Sequence, residues 1–286
     1  MAVHSHPVAI ISDEFTNPNT VNMLNEVTRQ LNARGLAAVL LNVNSRESYQ
    51  AALRSVAPLS PAGLLFLTSL FDDELEIAAG ILPQVHSVHL APSDSRVADV
   101  VIADGFDVGQ QMAALLLAQG HQRFGFLQAR ETAIPDRYLA GYQAGLQQHS
   151  ALTVQLTAGE FDRERAYQAV MGYLRKTRAA ERINALFCAS DVLALGALQA
   201  VRDFGQGAHV AVVGVDDIDE ARASTWHLTS WAQRRDLLVT EALNRLLEQR
   251  SDTSNAWQQG ELQVRHSHLG KHVPGEMSQC GCAIRH

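Results

Sequence analysis

The sequence predicts an α/β protein made of two successive doubly wound lobes. Apolar runs of strand length recur along most of the chain, and helical stretches of ten or more residues separate them, which is the pattern of parallel βαβ units. The runs number about ten, many for one such sheet, so the chain is expected to split near Gly120.

The elements follow in order. Pro7 to Ser12 (PVAIIS) is the first apolar run, rich in Val and Ile. After the polar turn Asp13 to Asn19 comes a helix whose Val21, Leu24, Val27, Thr28 and Leu31 share one face at spacings of three and four. Arg34-Gly35 closes it, because glycine accepts the left-handed conformation that a helix end often needs. The unit then repeats: strand Leu36 to Val43, helix from Arg46, strand Gly63 to Leu67, helix from Asp72, strands Ser87 to Leu90 and Val100 to Ala103, and helix Val108 to Gln119. The second series runs from strand Arg123 to Gln128 through helix Asp136 to His149, strand Thr153 to Thr157, helix Arg163 to Thr177, strand Ala185 to Ala189, helix Val192 to Phe204 and strand His209 to Val215. Trp226 to Gln233 then leads into an amphipathic helix, Asp236 to Gln249, and Glu261 to His266 alternates like a last strand. Residues 270–286 show little periodicity and are expected to form a loosely docked tail.

Composition narrows the function classes. Of 286 residues, 47% are hydrophobic and 19% charged, enough apolar matter for a real core. The 23 basic and 30 acidic residues leave a net charge of −7, so the chain as a whole is not an electrostatic partner for nucleic acid. No stretch reaches the ~18–20 apolar residues of a membrane span, and MAVHSHPVAI lacks the plan of a secretory signal. With three cysteines and no disulfide framework, a cytoplasmic protein is expected. The phosphate-cradling, nucleophile-elbow and zincin motifs are missing, so neither an enzyme nor a cofactor is expected. Gly105/Gly109 and Gly141/Gly145 are read as sites of close helix packing. His266, His268, His272, Cys280, Cys282 and His286 include soft-metal ligand types, but the segment carries no structural signal and no metal is expected.

In open α/β sheets ligands lie beyond the carboxyl ends of the strands. The polar residues following the apolar runs are Ser12, Asp13, Asn17, Thr68, Ser69 and Asp104, then Arg137, Glu160 with Asp162, Ser190 with Asp191, and Asp216 with Asp217; Phe161 adds an aromatic. Carboxylates take paired hydrogen bonds from vicinal hydroxyls, and an aromatic covers the apolar face of a sugar ring. The Asp, Ser and Asn residues among them, taken singly, also suit helix caps.

Seven segments, in order, resemble the effector-binding core of the lactose/galactose-repressor (LacI/GalR) family of bacterial transcription regulators. They are TNPNTVNML (Thr16 to Leu24), DGFDVGQQMAALLLAQGHQRFGFL (Asp104 to Leu127), RYLAGYQAGL (Arg137 to Leu146, taken as the family's Arg-x-x-Gly-Tyr segment), GEFDRERAY (Gly159 to Tyr167), FCASDVLALGALQAVRDFG (Phe187 to Gly205), VAVVGVDDIDEA (Val210 to Ala221), and LTSWAQ with QVRHS (Leu228 to Gln233, Gln263 to Ser267). The resemblance implies two Rossmann-like lobes joined by three crossovers, near Gly120, Thr229 and Trp257, with effector in the cleft between them. Residues 7–120 with 230–256 would form the first lobe, and 121–229 with 257–269 the second.

The resemblance also implies roles. Arg137 matches an arginine that grips ligand hydroxyls or a carboxylate, Asp216 an aspartate that accepts from hydroxyls, and Phe161 the aromatic on the ligand. Phe15 and Asn17 match a first-lobe loop that reaches the ligand. Asp191 and Asp104 also match, each with capping as its rival. Ser190 stands where the family usually has Asn, which removes an amide and points away from the common sugars. Only six residues precede Pro7, whereas the family carries a helix-turn-helix there; operator DNA contact is expected through a segment outside this chain. The implied protein is a homodimeric sensor in which a sugar or similar small molecule favours the closed cleft and so alters operator binding. The alternative is a sugar-binding protein of a transport system.

Overall fold

The computed structural model describes residues 6–93, 95–130, 136–147, 152–205 and 208–270. Among them are ten strands and eight α-helices, divided between two compact units. One joins the chain up to Ala103 with Gln233–Gly260; the other joins Asp104–Ala232 with the chain from Glu261 on.

The first lobe is built on β1 (Val8–Ser12), β2 (Ala38–Asn42), β3 (Gly63–Phe66) and β4 (Ser87–His89), in the order β2-β1-β3-β4. Its strand pairs are parallel, with Val8 opposite Ala38 on one side and Gly63 on the other. The pleat of β1 sends alternate side chains to opposite faces. Val8 and Ile10 meet Met23, Val27 and Leu31 of α1 (Pro18–Ala33) and Leu238 and Ala242 of α8 (Arg235–Glu248). Ala9 and Ile11 meet Tyr49 and Leu53 of α2 (Arg46–Val56) and Ala78 of α3 (Glu74–Ile81). Cover on both faces explains why the strands read as unbroken apolar runs. The strand expected at Val100 to Ala103 is reduced to a single bridge, His89 to Val100, because the chain turns at Asp104 to start the next helix.

The second lobe holds β5 (Phe124–Gln128), β6 (Leu152–Thr157), β7 (Ala185–Cys188), β8 (Ala211–Val215), β9 (Thr229–Gln233) and β10 (Gly260–Gln263), in the order β10-β9-β8-β7-β5-β6. The pairs from β6 across to β9 are parallel. One face packs Leu127, Leu186 and Val212 against Val170 and Leu174 of α6 (Arg163–Lys176) and Ala194 and Leu198 of α7 (Asp191–Phe204). Phe126, Phe187 and Tyr142 form edge-on and tilted ring contacts at 5.2–6.4 Å.

Helix α4 (Gly105–Ala118) groups with this second unit, so the division falls at Ala103 rather than near Gly120. Close packing on α5 (Arg137–Leu146) is the reason. A Cβ on Gly109 would sit 2.2 Å from the Tyr138 carbonyl oxygen, and one on Gly141 1.9 Å from the Phe106 carbonyl oxygen. Those backbones touch only because both positions are glycine. The other two divisions fall after Ala232 and after Gly260. Helices α4, α5 and α8 each begin one to three residues from the expected start or end, as helix ends commonly do. The expected tail, with His272, Cys280, Cys282 and His286, lies outside the described residues, Gly270 excepted.

Candidate functional site

Both lobes gather polar side chains past the carboxyl ends of their central strands. In the first lobe, Ser12 ends β1 and its hydroxyl lies 3.2 Å from that of Thr68, which donates to Asp13 Oδ1 at 2.8 Å. Asn17 caps α1: its Oδ1 accepts from the Asn19 amide at 3.0 Å, and its Nδ2 donates to Glu14. Phe15 is half-buried against the core beside α1. These side chains brace the loop between β1 and α1.

Just past β3 the chain turns around Glu74, whose carboxylate is fully buried. Oε2 accepts from the Leu70 and Phe71 amides at 2.6 and 3.2 Å, and Oε1 from the Ser69 hydroxyl at 3.2 Å. His89 Nε2 lies 2.7 Å from Oε1 and must donate, since a carboxylate only accepts. The imidazole is stacked on Phe66 with centroids 4.3 Å apart, and its Nδ1 has no partner among the described residues. Burial works to raise the Glu74 pKa, but the imidazole and the two amides outweigh it and leave the carboxyl below the ordinary value.

In the second lobe, Asp104 caps α4 by accepting from the Phe106 amide at 3.1 Å. Arg137, the first residue of α5, turns its guanidinium to this same Asp104, 3.1 Å away, and is 65% exposed. The arginine is therefore engaged at the start of two helices, the structural alternative to gripping a ligand. Its position in the sequence agrees. Three residues lie between Arg137 and Gly141, one more than in Arg-x-x-Gly, so the family's spacing falls on Tyr138. One residue along a helix rotates a side chain by about 100°. The Tyr138 ring packs edge-on against Phe187, centroids 6.2 Å apart. Its phenol is pushed above the ordinary tyrosine range, first by burial and then by the nearby carboxylates of Asp216 and Asp136. Counting back from Gly141 thus puts Tyr138, not Arg137, at the motif's first position.

Ser190 is buried and caps α7 through the Leu193 amide at 3.3 Å. Asp191 follows it and is fully buried. Its Oδ2 accepts from the Ile218 amide at 2.9 Å and its Oδ1 from the Ser230 hydroxyl at 2.7 Å. Burial raises the Asp191 pKa to about 7; the bonds from Ser230 and Ile218 pull it down, Asp217 pushes it up, and Arg265 lowers it. Both carboxylate oxygens of Asp191 are thus engaged within the fold, and the side chain has no exposed surface. Asp216, half-buried at the end of β8, has φ 108°, and Asp217 has φ 47°. Two consecutive non-glycine residues thus hold backbone that favours glycine. Asp217 pairs with Arg265 at 2.7 Å. Phe161, in the loop after β6, is 45% exposed. The structure thus joins Asp104 with Arg137, sets Tyr138 near Asp216 and bonds Asp191 to the Ile218 amide that follows Asp217, while Phe15 and Asn17 belong to the other unit.

Cys188 is fully buried at the end of β7, and burial followed by Asp191 keeps its thiol pKa well above the ordinary value. Among the described residues no group of three or more His, Cys, Asp or Glu could hold a metal, and no helix is long and apolar enough to cross a membrane. His268 is buried, with Nδ1 2.9 Å from the Thr229 hydroxyl, and His266 packs on the His227 ring.

Parallel sheets with polar strand ends in two compact units define an α/β small-molecule-binding core. The chain belongs to the periplasmic binding protein-like domain family, whose model matches residues 113–268, and it is of the kind that forms the effector-binding core of LacI-type regulators. A curated relative, the HTH-type transcriptional repressor PurR of Pectobacterium atrosepticum, is 26% identical over 259 residues, 86% of this chain and 73% of the relative. Among solved structures, the lac repressor dimer bound to operator and the anti-inducer ONPF has a TM-score of 0.77 at 19% identity, covering 94% of this chain and 83% of the repressor. A LacI family regulator from Lactobacillus casei with bound sucrose has a TM-score of 0.74 at 18% identity, covering 91% and 99%. These structural likenesses are of fold.

Proposed function

We propose that this chain is the effector-sensing domain of a LacI-type transcriptional regulator, a homodimer of the cytoplasm. It binds a small polar molecule, a sugar or sugar derivative, beyond the carboxyl ends of its strands, and so controls operator binding by the full-length protein without turning the molecule over. The observation that carries this reading is the Asp216–Asp217 turn. Each such residue stores strain of roughly 1–3 kcal/mol, and strain of this kind concentrates at ligand sites. Beside it stands the Tyr138 phenol, and the exposed Phe161 ring lies in the loop after β6 of the same sheet. A carboxylate, a phenol and an aromatic face suit a polyhydroxylated ring. In this reading Asp216 takes the hydroxyls, Tyr138 replaces the arginine, and Phe161 covers the ring. Ser190, Asp191, Asp104 and Arg137 hold the frame. A second reading, a purine in place of the sugar, follows from the PurR relatives and from the same two aromatic rings.

A thermal-shift screen of sugars, sugar acids, sugar phosphates and purines tests both readings. A ligand at a hundredfold excess over Kd adds about 2.7 kcal/mol of stability. The expected result is a hit that D216A and Y138F abolish in folded protein and R137A retains. A hit indifferent to D216A would remove Asp216 from the site, and silence from every class would contradict both effector readings.

A further inference from the structure

Asp191 lies directly beneath the Asp216–Asp217 turn and is fully buried. Two chains of hydrogen bonds run from its carboxylate into that turn. Oδ2 accepts the Ile218 amide at 2.9 Å. Oδ1 accepts the Ser230 hydroxyl at 2.7 Å, and the oxygen of that hydroxyl accepts the Asp217 amide at 3.0 Å. The amides of both residues that follow Asp216 are thus tied, directly or through one hydroxyl, to a single side chain. Strained backbone persists only where its surroundings over-determine it, and these bonds supply the determination. A third feature makes room for the carboxylate: a Cβ on Gly214 would fall 2.2 Å from Asp191 Oδ1.

We infer that Asp191 is a positioning residue, which holds the left-handed Asp216–Asp217 turn and so fixes the direction in which the Asp216 carboxylate is offered to the effector, without touching the effector itself. The inference rests on the reading of Asp216 as an effector contact. Ser230 and Gly214 are its accessories. Ser230 relays the carboxylate to Asp217, and Gly214 leaves the space the carboxylate fills.

The carboxylate is also a titrating anchor. The charged groups around it are Asp217 and Arg265, and the Cys188 thiol on β7 adjoins it. Burial sets its pKa at about 7, so the strength with which it accepts from Ile218 and Ser230 changes across neutral pH. A side chain that merely fills space would show no such profile.

The test is amide hydrogen exchange by mass spectrometry on the whole chain, read on the peptide 214–220 and corrected for the intrinsic chemical rate. In D191A and in S230A this peptide should exchange at least tenfold faster than in wild type, while peptides from β5 and β7 keep their rates. In wild type its protection should change through about pH 7, and in D191N it should be flat over the same range. Unchanged exchange in S230A, which leaves Asp191 in place, would overturn the inference. So would loosening spread evenly over the second lobe, or a pH profile that persists in D191N. None of these readings uses an effector. A loosened turn together with a ligand hit indifferent to D216A would therefore sink the assignment of Asp216 and leave the anchoring role of Asp191 standing.

Discussion

In the first lobe the turn after β3 is held by Glu74, and in the second lobe the turn after β8 is held by Asp191. Both acids are fully buried, and both accept backbone amides from the turn above them. Their proton equilibria nevertheless move in opposite directions: Glu74 is held below the ordinary carboxylate value, whereas Asp191 is raised to about 7. The difference lies in depth and in donors: Asp191 sits deeper and loses more solvation, and fewer groups are aimed at it. Glu74 receives two amides, a hydroxyl and an imidazole; Asp191 receives one amide and one hydroxyl and has Asp217 nearby. Burial alone does not decide the charge of a carboxyl. The number and charge of the groups aimed at it decide whether desolvation wins.

The comparison breaks most visibly at Glu74. Replacing it by Ala leaves the buried His89 Nε2–H and two partly buried amides without an acceptor, and should cost roughly 3–5 kcal/mol, read as a lower urea midpoint. The same truncation at Asp191 strands fewer donors and releases a disfavoured charge, so at pH 8 its cost should be about 1–3 kcal/mol.

The pH dependence of stability should separate the two acids by sign. The folded pKa of Glu74 is lowered, so its contribution is present above the unfolded value and is lost as pH falls through the folded value, on the acid side. The folded pKa of Asp191 is raised, so its contribution is complete below the unfolded value and is lost as pH rises through about 7. E74Q should flatten the acid limb of a denaturation series, and D191N the limb between about pH 4 and 7. The opposite assignment of limbs would reverse the comparison.

Gly214→Ala sharpens it from another side. The added methyl would meet Asp191 Oδ1 at 2.2 Å, and overpacking of this kind costs about 1–3 kcal/mol. Because the carboxylate must move, G214A should reproduce the loosened turn of D191A by hydrogen exchange. The smallest effect is expected at Arg137. Its pair with Asp104 is exposed, so R137A should change stability by about 1 kcal/mol or less.

Much of this architecture is legible in the sequence, for identifiable reasons. Strands covered on both faces show as apolar runs, and β1, β3, β5, β7 and β8 are such runs. The place where α4 belongs is not legible, because it depends on the contact of Gly109 with Tyr138 and of Gly141 with Phe106, far apart in the chain. The strand at Val100 fell short for a similar reason, since one bridge to His89 is all the chain makes before Asp104 starts a helix. At the site, the strand-end positions of Asp216, Ser190 and Phe161 follow from the order of runs. The burial of Asp191 does not, because Ser190-Asp191 reads as a helix start whether or not another strand's turn sits on top of it. Arg137 and Tyr138 are adjacent in sequence, and only the helix phase tells which one turns toward Asp216.

The most direct measurement is a carboxyl carbon NMR titration of Glu74 and Asp191, with the resonances assigned by their loss in E74Q and D191N. The Asp191 carboxyl should titrate near pH 7, while that of Glu74 stays ionised down past its ordinary range. An Asp191 that titrates with the exposed aspartates, near pH 4, would contradict the account of a buried, sparsely solvated anchor beneath the Asp216 turn.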